Sequence, residues 1–180
     1  MSSFFWQGCL HPLIVPAHLM VILALGLLLG QQTPRTIRTS LTVYVVSLGG
    51  ALLLTRVLPR LGQGELSLLV LALSLGVLVI LKLKINLALV ITLSMSAGIL
   101  IGLDSRIANL PGLSANKIYL QLLGTALSAS LLLSLPTLIS FYLNKLLDGI
   151  AVRVIGAWVT AGSLMVLALL LHGLLQASNS

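Results

Sequence analysis

The sequence predicts an all-α protein: a polytopic integral membrane bundle of about six transmembrane helices, forming a single transmembrane domain over residues 1–180. Three observations predict it. Hydrophobic residues make up 58% of the 180 residues and charged residues only 7%, whereas a soluble domain has about 45–50% and about 25%. The mean hydropathy is +1.17. Apolar runs recur along the whole chain at close to the roughly 20 residues that a membrane-crossing helix needs, and short polar segments divide them. This composition excludes a soluble globular protein and a disordered chain alike.

The first span is expected over residues 10–30. No Lys or Arg precedes Arg35, so the positive n-region of a cleavable signal peptide is missing and a permanent helix is expected. Phe4, Phe5 and Trp6 suit an interfacial anchor before it. QQTPRTIRTS reads as a polar loop. The second span covers residues 41–58 and stops at Pro59, and RLGQGE leads to the third over residues 66–81. KLKIN is a tight turn, because the apolar pattern resumes at once. The fourth span covers residues 87–103; the stretch 66–103 is too long for one crossing and reads as a hairpin. A longer loop over residues 104–117 holds the Pro111-Gly112 turn. The fifth span, residues 118–143, should bend at Pro136, which has no N–H for the carbonyl four residues earlier. Ser134, Thr137 and Ser140 offer hydroxyls for backbone groups freed nearby. The sixth covers residues 150–171, with a short polar tail after it.

Small residues allow these helices to approach closely. GLLLG places Gly26 and Gly30 in the first span, and GILIG places Gly98 and Gly102 in the fourth. Gly156, Ala157, Ala161 and Gly162 give the sixth a small-residue stripe. Such stripes bring helices together in lipid, and packing within the chain is expected ahead of packing between copies.

The net charge of +7 comes from ten Lys/Arg against three Asp/Glu. The basic residues lie singly or in pairs beside apolar runs, with no basic cluster and no aromatic stacking surface, so a nucleic-acid partner is not expected. Six spans put both termini on one side. With the termini outside, the inner loops hold Arg35, Arg38, Lys82, Lys84, Lys145 and Arg153, and the outer loops hold Arg56, Arg60, Arg106 and Lys117. The positive-inside bias therefore favours both termini outside. Cys9 is the single cysteine, so no internal disulfide forms. The partners expected are membrane lipid, a divalent metal ion, and a membrane-protein partner or a second copy of the chain.

Ionisable residues deep in a membrane are functional candidates. His18 is the clearest, about midway along the first span. No Asp or Glu falls at an expected midplane, which argues against a proton pump or a carboxylate-based cation exchanger. His11 and His18 are seven residues apart. On a continuous helix they share a face within roughly 20° but stand about 10.5 Å apart along the axis. Two nitrogens each about 2.1 Å from one metal ion cannot be so far apart. A shared site thus requires a deformed backbone, and Pro12 and Pro16 lie in the interval. A helix starting only after Pro16 would be roughly 21 Å long and too short to span, so HPLIVP is expected to enter the membrane as a kinked turn. His172, at the far end of the sixth span, belongs to the same membrane face as His11. Cys9 and Met20 add soft donors near the histidines. Against ligation, the first span has no acid to support its histidines. On that view His11 is a helix-end residue, His18 donates to a neighbouring carbonyl and His172 is interfacial.

Enzymatic activity is not expected. The serines form no evident Ser-His-acid set, and in such helices serine is more often hydrogen-bond glue; an intramembrane hydrolase using His18 is the weakest alternative. Neither a GxGxxG nor a Walker loop is present, which argues against nucleotide binding. No resident cofactor is called for.

HPLIVPAHLMVILALGLL resembles the opening helix of the HupE/UreJ family of hydrogenase and urease accessory membrane proteins. That family shows a pattern of the form HPxxGxDHLL. His11, Pro12, His18 and Leu19 match it, while Val15 stands at the glycine and Ala17 at the aspartate. A second family pattern, HGHAHGxE, is similar to AGILIGLD. Here Gly98, Gly102 and Asp104 keep the frame, and Ala97, Ile99 and Ile101 replace the three histidines. VRVIGAWVTAGSLMVLALL is similar to the family's last helix. The resemblance spans about five of the six expected helices. It implies a nickel or cobalt permease, or an accessory to metalloenzyme maturation, with nickel or cobalt as the transported ion. His11 and His18 would be ligands, and Asp104 and His172 further candidates at the outer mouth. The replaced positions leave a rival expectation: a non-transporting structural or accessory subunit that has lost the metal site.

Overall fold

A computed structural model describes residues 2–55, 64–83, 85–105, 115–146 and 148–178. They form α1 (Ser2–Ile14), α2 (Pro16–Gly30), α3 (Pro34–Leu54), α4 (Gly64–Leu81), α5 (Leu87–Asp104), α6 (Ala115–Leu146) and α7 (Ile150–Ser178). Five helices are long and apolar enough to cross a membrane, and α1 with α2 make a sixth span if the bent pair is counted as one.

The first expected span is therefore not one helix. It breaks at Val15, and its halves meet at 71°. The cause is local. A residue before proline is pushed out of the α region, and Val15 is extended, with φ −86 and ψ 109. Pro16 also lacks the N–H that the Pro12 carbonyl would accept in an unbroken helix. Helical bonds approach the break from both sides, Val15 N to the His11 carbonyl at 3.3 Å and Leu19 N to the Val15 carbonyl at 3.2 Å. Pro16 then opens α2 at a position where a missing N–H costs nothing.

Other boundaries move for similar reasons. Most of the expected loop 31–40 is the first two turns of α3. Thr33 caps that helix by accepting from Thr36 N at 3.4 Å, and Pro34 takes its first position. Thr39 and Thr42 donate to the Arg35 and Arg38 carbonyls, so the polar stretch satisfies itself as helix. α3 ends at Leu54; Pro59, the expected stop, lies outside the described residues. α7 runs on through the expected polar tail to Ser178, over leucine, glutamine and alanine that favour helix. α6 continues through Pro136 without interruption. The nearby hydroxyls do not serve the carbonyl that Pro136 leaves free. Ser134 donates to Ser130, Thr137 to Leu133, and Ser140 crosses to the Leu27 carbonyl of α2 at 2.9 Å.

α2 is the centre of the bundle, with eleven of its fifteen residues buried. α6 and α4 flank it, α1 lies on α6, α3 pairs with α5, and α4 pairs with α7. Glycines set these contacts. A Cβ on Gly26 would stand 2.6 Å from Pro136 Cγ, and one on Gly30 would strike Ser140, so GLLLG of α2 receives α6. Gly98 faces the Tyr44 carbonyl and Leu48 N, and Gly102 faces Ala51 and the Leu48 carbonyl, so GILIG of α5 receives α3. Gly156 meets Val79, and Gly76 meets Thr160. GLLLG and GILIG thus pack within the chain, whereas in the α7 stripe Gly156 and Gly162 face neighbours and Ala157 and Ala161 are exposed.

One end of the bundle is tied by side chains that reach backbone carbonyls. Lys82 Nζ donates to Asp148 at 2.8 Å, Arg153 Nε to Ile80 at 2.8 Å, and Gln31 Nε2 to Val79 at 3.1 Å. Gly149, at φ +77, completes this turn; a side chain there would meet Asn144 and the Lys82 amine. The outer face of α7, with Trp158, Met165 and Leu169, is exposed and apolar, as a lipid-facing surface is.

Candidate metal centre

The break at Val15 places His18 in the first turn of α2 and folds the last turn of α1 back over it. The His11 and His18 rings lie 5.4 Å apart between centroids, with their planes at 36°. A continuous helix would have held them about 10.5 Å apart along its axis. The deformation that a shared site requires is therefore present, and it falls between Pro12 and Pro16.

His18 is fully buried. Its Nε2 lies 3.0 Å from Asp104 Oδ2 at the end of α5. An ionised carboxylate only accepts, so His18 donates through Nε2, and in the neutral ring Nδ1 is left as the lone-pair nitrogen. His18 Nδ1 and His11 Nδ1 are both buried, and neither has a hydrogen-bond partner among the described residues. An imidazole that donates one nitrogen to a carboxylate and keeps the other free has the arrangement of a metal-binding histidine. The expectation that no acid supports these histidines is thus overturned. The acid comes from α5, 86 residues further along the chain. The alternative donation from His18 to a neighbouring carbonyl is replaced by the bond to Asp104.

Asp104 is 27% exposed, so one side of the carboxylate reaches the surface while the other holds His18. Gly64, the first residue of α4, borders it: a Cβ on Gly64 would land on Asp104 Oδ1. The start of a helix carries partial positive charge, so α4 presents a favourable end to the carboxylate. Gly64 was read as part of a loop, and nothing in its neighbours signals a contact with a residue 40 positions away.

His172 does not join this centre. It lies exposed on α7. Gly162 of the same helix faces Met20, and His172 is ten residues, about 15 Å of helical rise, further on. Met20 turns its thioether to Gly162 and so to α7. The Cys9 thiol is free and lies beside Gly124 of α6, and its carbonyl accepts from Ser128 at 2.6 Å. Among the described residues, no three His, Cys, Asp or Glu side chains converge as a metal-binding group. The centre is a pair of imidazoles and a carboxylate that positions one of them.

A bundle of apolar helices with a broken first span, and two histidine rings brought together at the break, defines a polytopic membrane protein with a candidate histidine site. The family model described as HupE / UreJ protein matches residues 1–167. The chain belongs to the HupE/UreJ family, and so to the nickel-related accessory membrane proteins of hydrogenase and urease. No curated protein and no solved structure matches it.

Proposed function

We propose that this protein carries a divalent transition metal, nickel or cobalt, across or into the membrane, with His11 and His18 as ligands. One observation carries the reading: two buried imidazole nitrogens without partners, on rings 5.4 Å apart, at a break that brings the rings together. Borderline divalent ions favour imidazole, and two such rings can flank one ion at about 2.1 Å each. Asp104 acts through His18, by holding its tautomer and orientation. Its exposed side faces the end of the bundle where an ion would enter. Ligands beyond the two imidazoles would be water or carbonyl oxygens freed at the break. The setting we propose is the bacterial inner membrane with both termini outside. The charge bias supports it, since Lys82 and Arg153 gather at the end opposite the histidines.

The test is titration of the purified protein with nickel and with cobalt, beside a His11→Ala/His18→Ala double variant. Saturable binding that the variant loses is expected. Equal binding in both proteins would reject the histidine site.

A second reading has one observation in its favour, the lack of a converging third ligand among the described residues. It takes the chain as an accessory subunit that keeps the bundle for its contacts with another membrane protein. Folded protein that binds no nickel or cobalt and co-purifies with a stable partner would establish it. A serine-reactive probe that labels no residue would end the hydrolase alternative.

A further inference from the structure

A second set of buried polar side chains lies away from the histidines. Ser40 and Tyr44 stand one turn apart on α3, and residues four apart share a helix face. Both are fully buried. Neither hydroxyl oxygen has a hydrogen-bond partner among the described residues.

α5 lies against this face. Gly98 meets α3 at Tyr44 and Leu48, and Gly102 meets it at Leu48 and Ala51. The contacts advance together along both helices, so α3 and α5 run parallel. That register puts Ser94, one turn before Gly98, between the levels of Ser40 and Tyr44. Ser94 is also fully buried, and its hydroxyl donates to the Val90 carbonyl at 2.9 Å. Its oxygen remains able to accept. Ser94 is ten residues, about 15 Å of helical rise, from Asp104. These three hydroxyls therefore lie between the histidines and the end that bears Lys82 and Arg153, with Tyr44 at the midpoint of α3.

A buried hydroxyl without a partner is costly in any apolar core, and a membrane interior has no bulk water to relieve it. Buried tyrosine usually finds a partner for its O–H. Phenylalanine and alanine would fill nearly the same space at Tyr44 and Ser40 without that cost. Water bound by two to four hydrogen bonds satisfies such groups in protein interiors.

We infer that Ser40, Tyr44 and Ser94 form a second hydrophilic site, which binds water, between the histidines and the end of the bundle that bears Lys82 and Arg153. It has a consequence for transport that rests on the metal reading above. An ion leaving His11 and His18 would regain oxygen ligands here on its way to the face that bears Lys82 and Arg153.

Hydroxyl-radical footprinting by water radiolysis tests the site itself. Bound water delivers the radical to buried neighbours, and Leu48, equally buried on the same face, is the internal control. With each rate divided by the intrinsic radical reactivity of its side chain, labelling of Tyr44 well above Leu48 is expected. A normalised rate for Tyr44 no greater than that for Leu48 overturns the inference. So does a higher melting temperature for Tyr44→Phe, the result of removing an unpaired hydroxyl. Nickel uptake into proteoliposomes reads the consequence. Tyr44→Phe should slow uptake and leave nickel affinity unchanged; unchanged uptake refutes the transit role. Failure of nickel to bind at His11 and His18 would remove the metal reading, and the footprint would still decide the water site.

Discussion

His18 donates through Nε2 to Asp104 Oδ2 across 3.0 Å, and this bond joins the broken first span to the end of α5. Among the described residues it is the charge-assisted contact of the candidate site. It also leaves His18 Nδ1 as the nitrogen free to bind. Asp104→Ala should therefore weaken nickel binding by about 10–100-fold, the range for loss of a carboxylate behind a metal-bound histidine. It should also lower stability by about 1–3 kcal/mol, because a buried donor is left unpaired. Calorimetric titration and thermal unfolding measure the two effects. Asp104→Asn, which keeps an acceptor, should keep most of the stability.

Gly64→Ala should weaken nickel binding in the same direction as Asp104→Ala, since the new Cβ would crowd Asp104 Oδ1 and force the carboxylate to shift. The two changes act on one contact, so their effects on nickel affinity should be far from additive in a double-mutant cycle. Additive losses would mean that Gly64 acts elsewhere.

Pro16→Ala restores a backbone donor to the Pro12 carbonyl and lifts the restriction on Val15. The variant should straighten α1 and α2 toward one helix and carry His11 and His18 toward the separation of about 10.5 Å along the axis that a continuous helix dictates. Nickel affinity should fall although both histidines remain. A variant that binds nickel normally would show that the break does not depend on Pro16.

Glycines differ according to what they face. Gly98→Val should destabilise by about 1–3 kcal/mol through overpacking against α3, because its missing side chain lies 2.8 Å from the Tyr44 carbonyl. Gly49 has nothing within 4 Å, so Gly49→Ala should be neutral, or stabilise α3 by up to about 1 kcal/mol through helix propensity. Melting temperatures of the two variants check the contrast.

His172→Ala should leave nickel affinity unchanged, since α7 carries that residue away from the break. For the orientation, a C-terminal alkaline phosphatase fusion should be active and a green fluorescent protein fusion dark. The opposite pair of results would invert the assignment of both termini to the outside.

Much of the fold was legible because hydropathy and helix-breaking chemistry are local. The spans over 66–81 and 87–103 were read nearly to their observed ends. The errors also have local causes. Thr33 and Pro34 are a helix start that the polar residues after them obscured, and Val15 before Pro16 made two helices where apolar content suggested one. Pro12 and Pro16 did signal that the backbone between the histidines would deform. They could not signal by how much, because the angle depends on α6, against which α1 and α2 both lie.

The sequence by itself determined a membrane bundle of helices, its glycine contacts as a class, and a pair of histidines in a proline-bearing first span. These follow from composition and short-range spacing, which act within a few turns of one helix. Only the tertiary structure decided which helices the glycines receive, that Asp104 stands behind His18, that Gly64 makes room for it, and that His172 is remote. Those facts join residues 40 or more positions apart. They depend on which apolar faces meet, and in a chain where nearly every face is apolar, hydropathy cannot choose among them.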